Sequence, residues 1–211
     1  MEWIVQLPIL FFSIMVHEVS HGLVALRNGD DSALRAGRLT FNPAVHIDPL
    51  GTVFLPLVCL LAHLPLLGWA KPVPVNPSHL ADRRWSLLRV ALAGPASNLG
   101  LSLGAALLFR LVSGLPSWFP RYQGALLGTL LFTVSVNLFL AFFNLLPVHP
   151  LDGSRILSSL LPPRQRLGYE SHRPYGFMII LLLIGIGLLR PLVTAPSLLA
   201  LDLLTRLGLL R

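Results

Sequence analysis

A polar stretch, Val16-His17-Glu18-Val19-Ser20-His21-Gly22, interrupts an apolar run that extends from Trp3 to Leu26. Residues four apart lie on the same face of a helix, so His17 and His21 can direct both imidazoles toward one metal ion, with Glu18 beside them. The pair alone is a weak signal, because two histidines at this spacing often occur by chance. Ionisable side chains are costly in hydrocarbon, however, and are usually kept there for a function. The stretch therefore predicts a metal site inside a membrane helix.

The amino-acid composition is typical of a membrane protein. Of the 211 residues, 54% are hydrophobic and 12% are charged, and the mean hydropathy is +0.72. A water-soluble domain of this length needs more polar surface, whereas several lipid-facing helices need about this composition. The formal net charge of +7 is spread between apolar runs without a nucleic-acid-binding pattern, so we expect no nucleic-acid partner. The single cysteine, Cys59, excludes an internal disulfide and is expected to be a small buried residue.

Long apolar runs predict the membrane spans, because about 20 apolar residues cross the hydrocarbon core. The tail, Leu192–Arg211, is predicted to be either a returning span or an in-plane amphipathic helix, since Asp202 and Arg206 fall on one face among leucines. We expect an all-α polytopic fold in a single domain, 1–211, with three core helices that bear the metal site and one or two accessory helices at about 175–211. The predicted spans cover, in order, about Trp3–Leu26, Leu87–Val112, Ala125–Leu146 and Tyr175–Leu189.

The region from about residue 33 to residue 77 is expected to be re-entrant. Residues 38 to 48 alternate weakly around Asn42-Pro43, which favours a β-ribbon, although a loop fits this pattern nearly as well. The next segment, Pro49–Trp69, is apolar but interrupted by glycine and proline. If it crossed the membrane, the histidine pair and Asp152 would lie at opposite faces, whereas a hairpin that dips in and returns puts them at one face. The hairpin also places most basic loop residues on one side, which the positive-inside rule makes cytoplasmic.

Asp152, in Pro150-Leu151-Asp152-Gly153, is the candidate third metal ligand. Zinc in a hydrolase usually keeps three protein ligands and one open position, and a lone carboxylate at the end of a span otherwise has little reason to be there. The structural alternative is that Asp152 caps the following helix. His46 and His149 are second-choice ligands. The other histidines are expected to face loops or lipid headgroups: His63, His79 and His172.

Glu18 is the expected general base, which would take a proton from the attacking water. Asn98 and Asn144 are predicted to lie near the same face as the histidine pair, where either amide could stabilise a developing oxyanion or hold the substrate backbone. Both could instead join helices, as asparagine commonly does in membranes. Three glycines are expected to let helices pack closely and not to contact substrate: Gly94, Gly100 and Gly104. The candidate catalytic residues are thus Glu18, Asn144 and Asn98, and the candidate metal ligands are His17, His21 and Asp152.

Five segments occur in an order that resembles one known family. They are His17 through Gly22, Asn42 through Gly51, Gly68 through Asn76, Gly94 through Asn98, and Asn144 through Gly153. Together they resemble the site-2 protease family of intramembrane zinc metalloproteases, in particular its short prokaryotic members without PDZ or nucleotide-sensing domains. The likeness extends to about Leu189. It departs at His149, where such members commonly carry proline.

The resemblance implies one zinc ion per chain, bound by His17, His21 and Asp152, with Glu18 catalytic and Asn144 in the active site. It also implies a membrane-embedded β-ribbon near residues 38 to 48 that guides an unwound substrate. The implied substrates are single-span membrane proteins, cut within or next to their spans. We therefore expect a zinc-dependent endopeptidase in a prokaryotic plasma membrane, with its active site near the cytoplasmic face. The alternatives are a membrane metal-ion transporter and an inactive scaffold that binds client proteins.

Overall fold

The computed structural model describes residues 3–61, 68–116 and 120–211 of the chain. The chain forms two compact units, Met1–Ser97 and Asn98–Arg211. The single domain expected over residues 1–211 stays a prediction.

Helix α1, Trp3–Arg27, is the long apolar helix of the first unit. Residues Ile4–Arg27 are long and apolar enough to cross a membrane. The helix ends at a turn in which Gly29 has φ +100°, a left-handed conformation that favours glycine. A short helix, α2, Ser32–Arg35, follows this turn.

The β-ribbon predicted at residues 38 to 48 is wrong. These residues form a loop with a 3-10 turn at Pro43–Val45, and the part of the chain that the structure describes contains no β-strand. The cause is local: the Asn42 side chain accepts a hydrogen bond from Ala44 N at 3.1 Å, and Pro43 has no N–H to donate to a neighbouring strand. His46 Nε2 lies 2.9 Å from the Thr40 carbonyl oxygen, which closes the loop on itself.

The two ends of the apolar segment after this loop lie together. A π-helical turn, Pro49–Phe54, leads into helix α3, Leu55–Leu61. Farther along the chain, Trp69 N donates to the Gly51 carbonyl at 3.1 Å, and Lys71 N donates to the His46 carbonyl at 2.8 Å. These two hydrogen bonds bring the described residues on either side of the segment together, and the re-entrant hairpin itself stays a prediction.

Two further long apolar helices follow. Helix α4 is Arg83–Ser113 and helix α5 is Pro120–Asn144; the division between the two units falls within α4. Residues Arg83–Ser113 and Tyr122–Asn144 are long and apolar enough to cross a membrane. With α1, they give three long apolar helices within residues 3–61, 68–116 and 120–211, which confirms the predicted class of an all-helical membrane protein for this part of the chain.

The rest of the second unit is helical as well. Its core consists of small and branched residues of α4 and α5, against which leucines of the last helix pack.

The pair Pro163–Gly185 and Leu189–Arg206 bends by 78° and is together long and apolar enough for one more span. Near the bend, Gly187 has φ +74°. The elements are α6 Asp152–Leu160, α7 Pro163–Glu170, a 3-10 turn Arg173–Tyr175, α8 Gly176–Gly185 and α9 Leu189–Arg206.

Candidate metal centre

Two histidine side chains meet on one face of α1, as the sequence predicts. His17 Nε2 and His21 Nε2 lie 3.0 Å apart, and both side chains are buried. Their rings are nearly perpendicular, with an interplanar angle of 86°. A tetrahedral zinc ion with Zn–N bonds of about 2.05 Å would hold two nitrogens about 3.3 Å apart. The two imidazoles therefore fit one metal ion with little movement.

The other nitrogen of His21 is held by the backbone of α4. His21 Nδ1 lies 2.6 Å from the Val90 carbonyl oxygen. A carbonyl oxygen can only accept, so the proton sits on Nδ1 and the Nε2 lone pair is left to bind a metal. A metal-binding histidine commonly has such a partner, which fixes its tautomer and ring orientation.

Gly94, also on α4, packs directly against both imidazoles. A Cβ atom at this position would lie 2.5 Å from His17 Nε2 and 2.5 Å from His21 Nε2, closer than real Cβ atoms approach other heavy atoms. At Gly100 and Gly104 on the same helix, a Cβ would meet no atom of the described residues within 4 Å. The expected close packing is therefore confirmed at Gly94, where the partner is the histidine pair, and is wrong at Gly100 and Gly104.

The Glu18 carboxylate is held in place by a backbone N–H. Its Oε2 accepts a hydrogen bond from Val73 N at 3.0 Å. Val73 lies between Pro72 and Pro74, and no sequence pattern marks this peptide group as a partner of Glu18. The bond therefore fixes the candidate base from a distant part of the same unit.

Asp152 lies in the second unit as the first residue of α6, and its side chain is buried. The N-cap position belongs to Leu151, so Asp152 does not cap α6 in the way that the structural alternative requires. A Cβ at Gly153 would collide with the carbonyl oxygens of Leu145 and Leu146. The absence of a side chain at Gly153 thus lets the start of α6 pack against the chain just after α5.

The two second-choice ligands have structural partners within their own units. His149 Nδ1 lies 3.1 Å from Ser154 Oγ, and His149 Nε2 lies 3.9 Å from Glu170 Oε2. Burial lowers the pKa of His149, and the Glu170 charge only partly opposes this shift. The ring therefore joins the loop before Asp152 to α6. His46, described above, bonds within its own loop.

The candidate amides have different surroundings. Asn98 is fully buried, and its Nδ2 donates to Asn137 Oδ1 at 2.9 Å, which joins α4 to α5 within the second unit. Asn144 Nδ2 donates to the Leu140 carbonyl of its own helix at 2.9 Å. The contact of Asn98 is the helix-joining role that the sequence left open. Asn137 was missed, although an amide in the middle of an apolar span is a signal that could have found it.

The remaining predicted positions lie in loops or the core. His172 is exposed, and its Nδ1 lies 2.9 Å from the Gly168 carbonyl. His79 is exposed and faces Asp30, with Nδ1 3.4 Å from Oδ1. Cys59 is buried, as expected. His63 lies outside the residues that the structure describes.

The chain is similar to known proteins of one family. A family model described as "Peptidase family M50" matches residues 120–186. The "Putative zinc metalloprotease YwhC" of Bacillus subtilis is 37% identical over 202 residues, which are 88% of this chain and 84% of the relative. The "Putative zinc metalloprotease Rip2" of Mycolicibacterium smegmatis is 32% identical over 82% of this chain and 63% of the relative. No solved structure matches the chain.

Three long apolar helices and a buried histidine pair define a membrane protein with a candidate metal site. Within that class, the chain belongs to peptidase family M50, the family of the site-2 proteases.

Proposed function

We propose that the chain is a zinc-dependent intramembrane endopeptidase that hydrolyses peptide bonds within or next to the spans of single-span membrane proteins. The observation that carries this proposal is the arrangement on α1. Two Nε2 atoms face each other at 3.0 Å, and the adjacent Glu18 carboxylate is held by the Val73 N–H. The relatives named above are described as zinc metalloproteases, which supports the proposal.

His17, His21 and Asp152 would hold one zinc ion per chain. Two imidazoles and one carboxylate are a common donor set for catalytic zinc and leave one position open. The convergence of Asp152 on the histidine pair is part of the proposal, and it requires both to lie at one face of the membrane. The hydrogen bonds of Trp69 to Gly51 and of Lys71 to His46 support this topology, because a re-entrant hairpin leaves the number of crossings between the ligands even.

Each of the other site residues then has a separate role in the reaction. Bound zinc would supply a Lewis acid for the attack of water on the scissile carbonyl. Glu18 accepts a proton from the attacking water and passes it to the leaving amine. Asn144 donates a hydrogen bond to the developing oxyanion or to the substrate backbone. Asn98, whose amide donates to Asn137 Oδ1, has a helix-joining role in this proposal.

The active site lies near the cytoplasmic face of the plasma membrane in this proposal. Basic residues concentrate in the loops that the hairpin topology places on one side, and such loops usually face the cytoplasm. The bilayer is the solvent of the spans, and substrates reach the site from within it.

The test is cleavage of single-span peptides by purified protein in detergent. We expect cleavage that a chelator abolishes and added zinc restores. Glu18→Gln should abolish cleavage while zinc content stays near that of the wild type, because the base is lost and the ligands remain. Asp152→Ala should lower both. Full activity of Glu18→Gln would contradict the mechanism, and zinc flux into liposomes by an otherwise inactive wild type would favour a transporter.

A further inference from the structure

Residues Lys71–Asn76 form an extended segment, which we call the strap, that is anchored at three peptide nitrogens. Pro72 and Pro74 have no N–H, and a residue that precedes proline is restricted to extended conformations, so the strap is stiff. Lys71 N donates to the His46 carbonyl at 2.8 Å. Val73 N donates to Glu18 Oε2 at 3.0 Å. Asn76 N donates to Asp30 Oδ2 at 2.6 Å.

Asp30 provides the anchor at the far end of the strap. Its side chain is fully buried just after the end of α1. Oδ1 accepts hydrogen bonds from Ser32 N at 3.0 Å and from the Ser32 hydroxyl at 2.5 Å, while Oδ2 accepts from Asn76 N. A buried carboxylate is costly unless such donors satisfy it. These donors therefore fix Asp30 in the position from which it holds the strap.

The hydrogen bonds of Val73 N and Asn76 N both attach the strap to α1 or to the chain directly after it. One ends on Glu18 within the helix, and the other ends on Asp30, just beyond the last turn. Three residues of stiff chain separate the two donor nitrogens. Loss of the Asn76 anchor thus frees one end of the segment that presents the Val73 N–H to Glu18.

We propose that Asp30 is a positioning residue for Glu18 and acts through the strap. The inference rests on the proposed function, in which Glu18 is the general base. Asp30 contacts no reacting atom in this account. It keeps the Val73 peptide where its N–H holds the carboxylate, and a displacement of about 1 Å of a catalytic group can cost about 100-fold in rate.

The first experiment measures amide hydrogen exchange of the strap and requires no activity. In Asp30→Asn, one acceptor oxygen is replaced by an NH2 group, so the Val73 and Asn76 amides should exchange at least about 10-fold faster than in the wild type. The matched control is Asp31→Asn, since Asp31 is the adjacent carboxylate and forms an ion pair with Arg35 at 2.7 Å on the surface. Equal protection of the Val73 amide in Asp30→Asn and wild type overturns the proposal.

The second experiment is a double-mutant cycle on kcat with Val73→Pro, which removes the N–H that Glu18 accepts. Asp30→Asn and Val73→Pro should each lower kcat by about 10- to 100-fold with KM and zinc content nearly unchanged, and the double variant should fall no further. Val73→Ala keeps the N–H and should stay much closer to the wild type. Additive losses would mean that Asp30 acts independently of the Val73 N–H, and would refute the inference.

A second variant keeps the test independent of how well Asp30→Asn folds. Asn76→Pro removes the donor at the other end of the same hydrogen bond, while Asn76→Ala keeps it. Failure of the proposed function appears as a wild type that does not cleave. If this inference fails, the Asp30 variant will show the same exchange rate of the Val73 amide as the wild type. This measurement tests the inference even if the protein does not cleave any peptide.

Discussion

The Nδ1 atom of His21 lies 2.6 Å from the carbonyl oxygen of Val90, four residues before the glycine that packs against both imidazoles. The first turns of α4 thus contact both nitrogens of His21: the Val90 carbonyl binds Nδ1, and Gly94 lies against Nε2. Partners of this kind orient metal ligands, and their loss typically costs 10- to 100-fold in metal affinity. In the proposed zinc site, metal affinity should therefore depend on a segment of α4 that supplies no predicted ligand.

Gly94→Ala should lower zinc affinity by at least about 10-fold, because the new methyl group would occupy space at the two Nε2 atoms. Zinc content after competition with a chelator measures the effect. Gly100→Ala is the matched control on the same helix, since a Cβ at Gly100 meets open space. It should keep wild-type zinc affinity and gain a little stability from the higher helix propensity of alanine, about 1 kcal/mol at most. Wild-type zinc binding by Gly94→Ala would contradict the packing argument.

Asn98→Ala should destabilise the protein by about 1–3 kcal/mol, because it leaves a buried Asn137 oxygen without the amide donor that it now has. The unfolding temperature in detergent measures this loss. For Asn144→Ala we expect the reverse: a lower kcat at a nearly unchanged unfolding temperature, since the Asn144 amide donates to the Leu140 carbonyl of its own helix and this bond joins no second element. A strongly lowered kcat in an Asn98→Ala protein of unchanged stability would assign the substrate contact to Asn98 instead.

The stability contributed by Asp30 should disappear in acid. Burial raises the pKa of this carboxyl, but hydrogen bonds from Ser32, from Asn76 N and from His79 outweigh it and hold the pKa below its ordinary value of 3.8. Because the folded state binds the proton less readily than the unfolded chain, the contribution is complete above pH 3.8 and is lost as the pH falls through the folded pKa.

The measurement is the unfolding temperature of zinc-free protein from neutral pH downward. Asp30→Asn should be less stable than the wild type at neutral pH, and the two curves should converge in strong acid. Asp31→Asn controls for the loss of one negative charge and should parallel the wild type throughout. A gap between wild type and Asp30→Asn that persists below the folded pKa would show that the charge of Asp30 is not what stabilises the fold.

Thiol labelling tests the proposed topology. In a Cys59→Ala background, single cysteines at the exposed positions Asn42, Ser78 and Gln165 should react with an impermeant reagent only in inside-out vesicles. A cysteine at Leu115, which is 62% exposed, should react from the outer face. Reaction of Asn42→Cys and Ser78→Cys from opposite faces would exclude the re-entrant hairpin.

The long helices and the histidine pair could be predicted because their signals are local. An apolar run and an i, i+4 spacing can each be recognised within a short segment of the sequence, without knowledge of the rest of the chain. The loop at residues 38 to 48 could not be predicted in the same way, since a hydrogen bond between Asn42 and Ala44 decides it against weak alternation. Short-range polar competition of this kind overrides β-propensity.

The hydrogen-bond partners of the site residues could not be predicted from the sequence, for a different reason. The Val90 carbonyl and the Val73 N–H are backbone groups far along the chain from His21 and Glu18. Every residue except proline has the same backbone N–H and C=O groups, so composition and spacing do not indicate which of these groups will bond to a site residue. Only the folded arrangement of the first unit identifies which peptide bonds these are.

The strap has a consequence for how the sequence can diverge. Because Glu18 is held by a peptide nitrogen, selection at position 73 acts on the backbone: proline is forbidden there, while Pro72 and Pro74 on either side remain acceptable. Homologues can therefore exchange the side chain at this position and still keep the carboxylate in place. A measure of functional importance that is based on side-chain identity would therefore underestimate position 73.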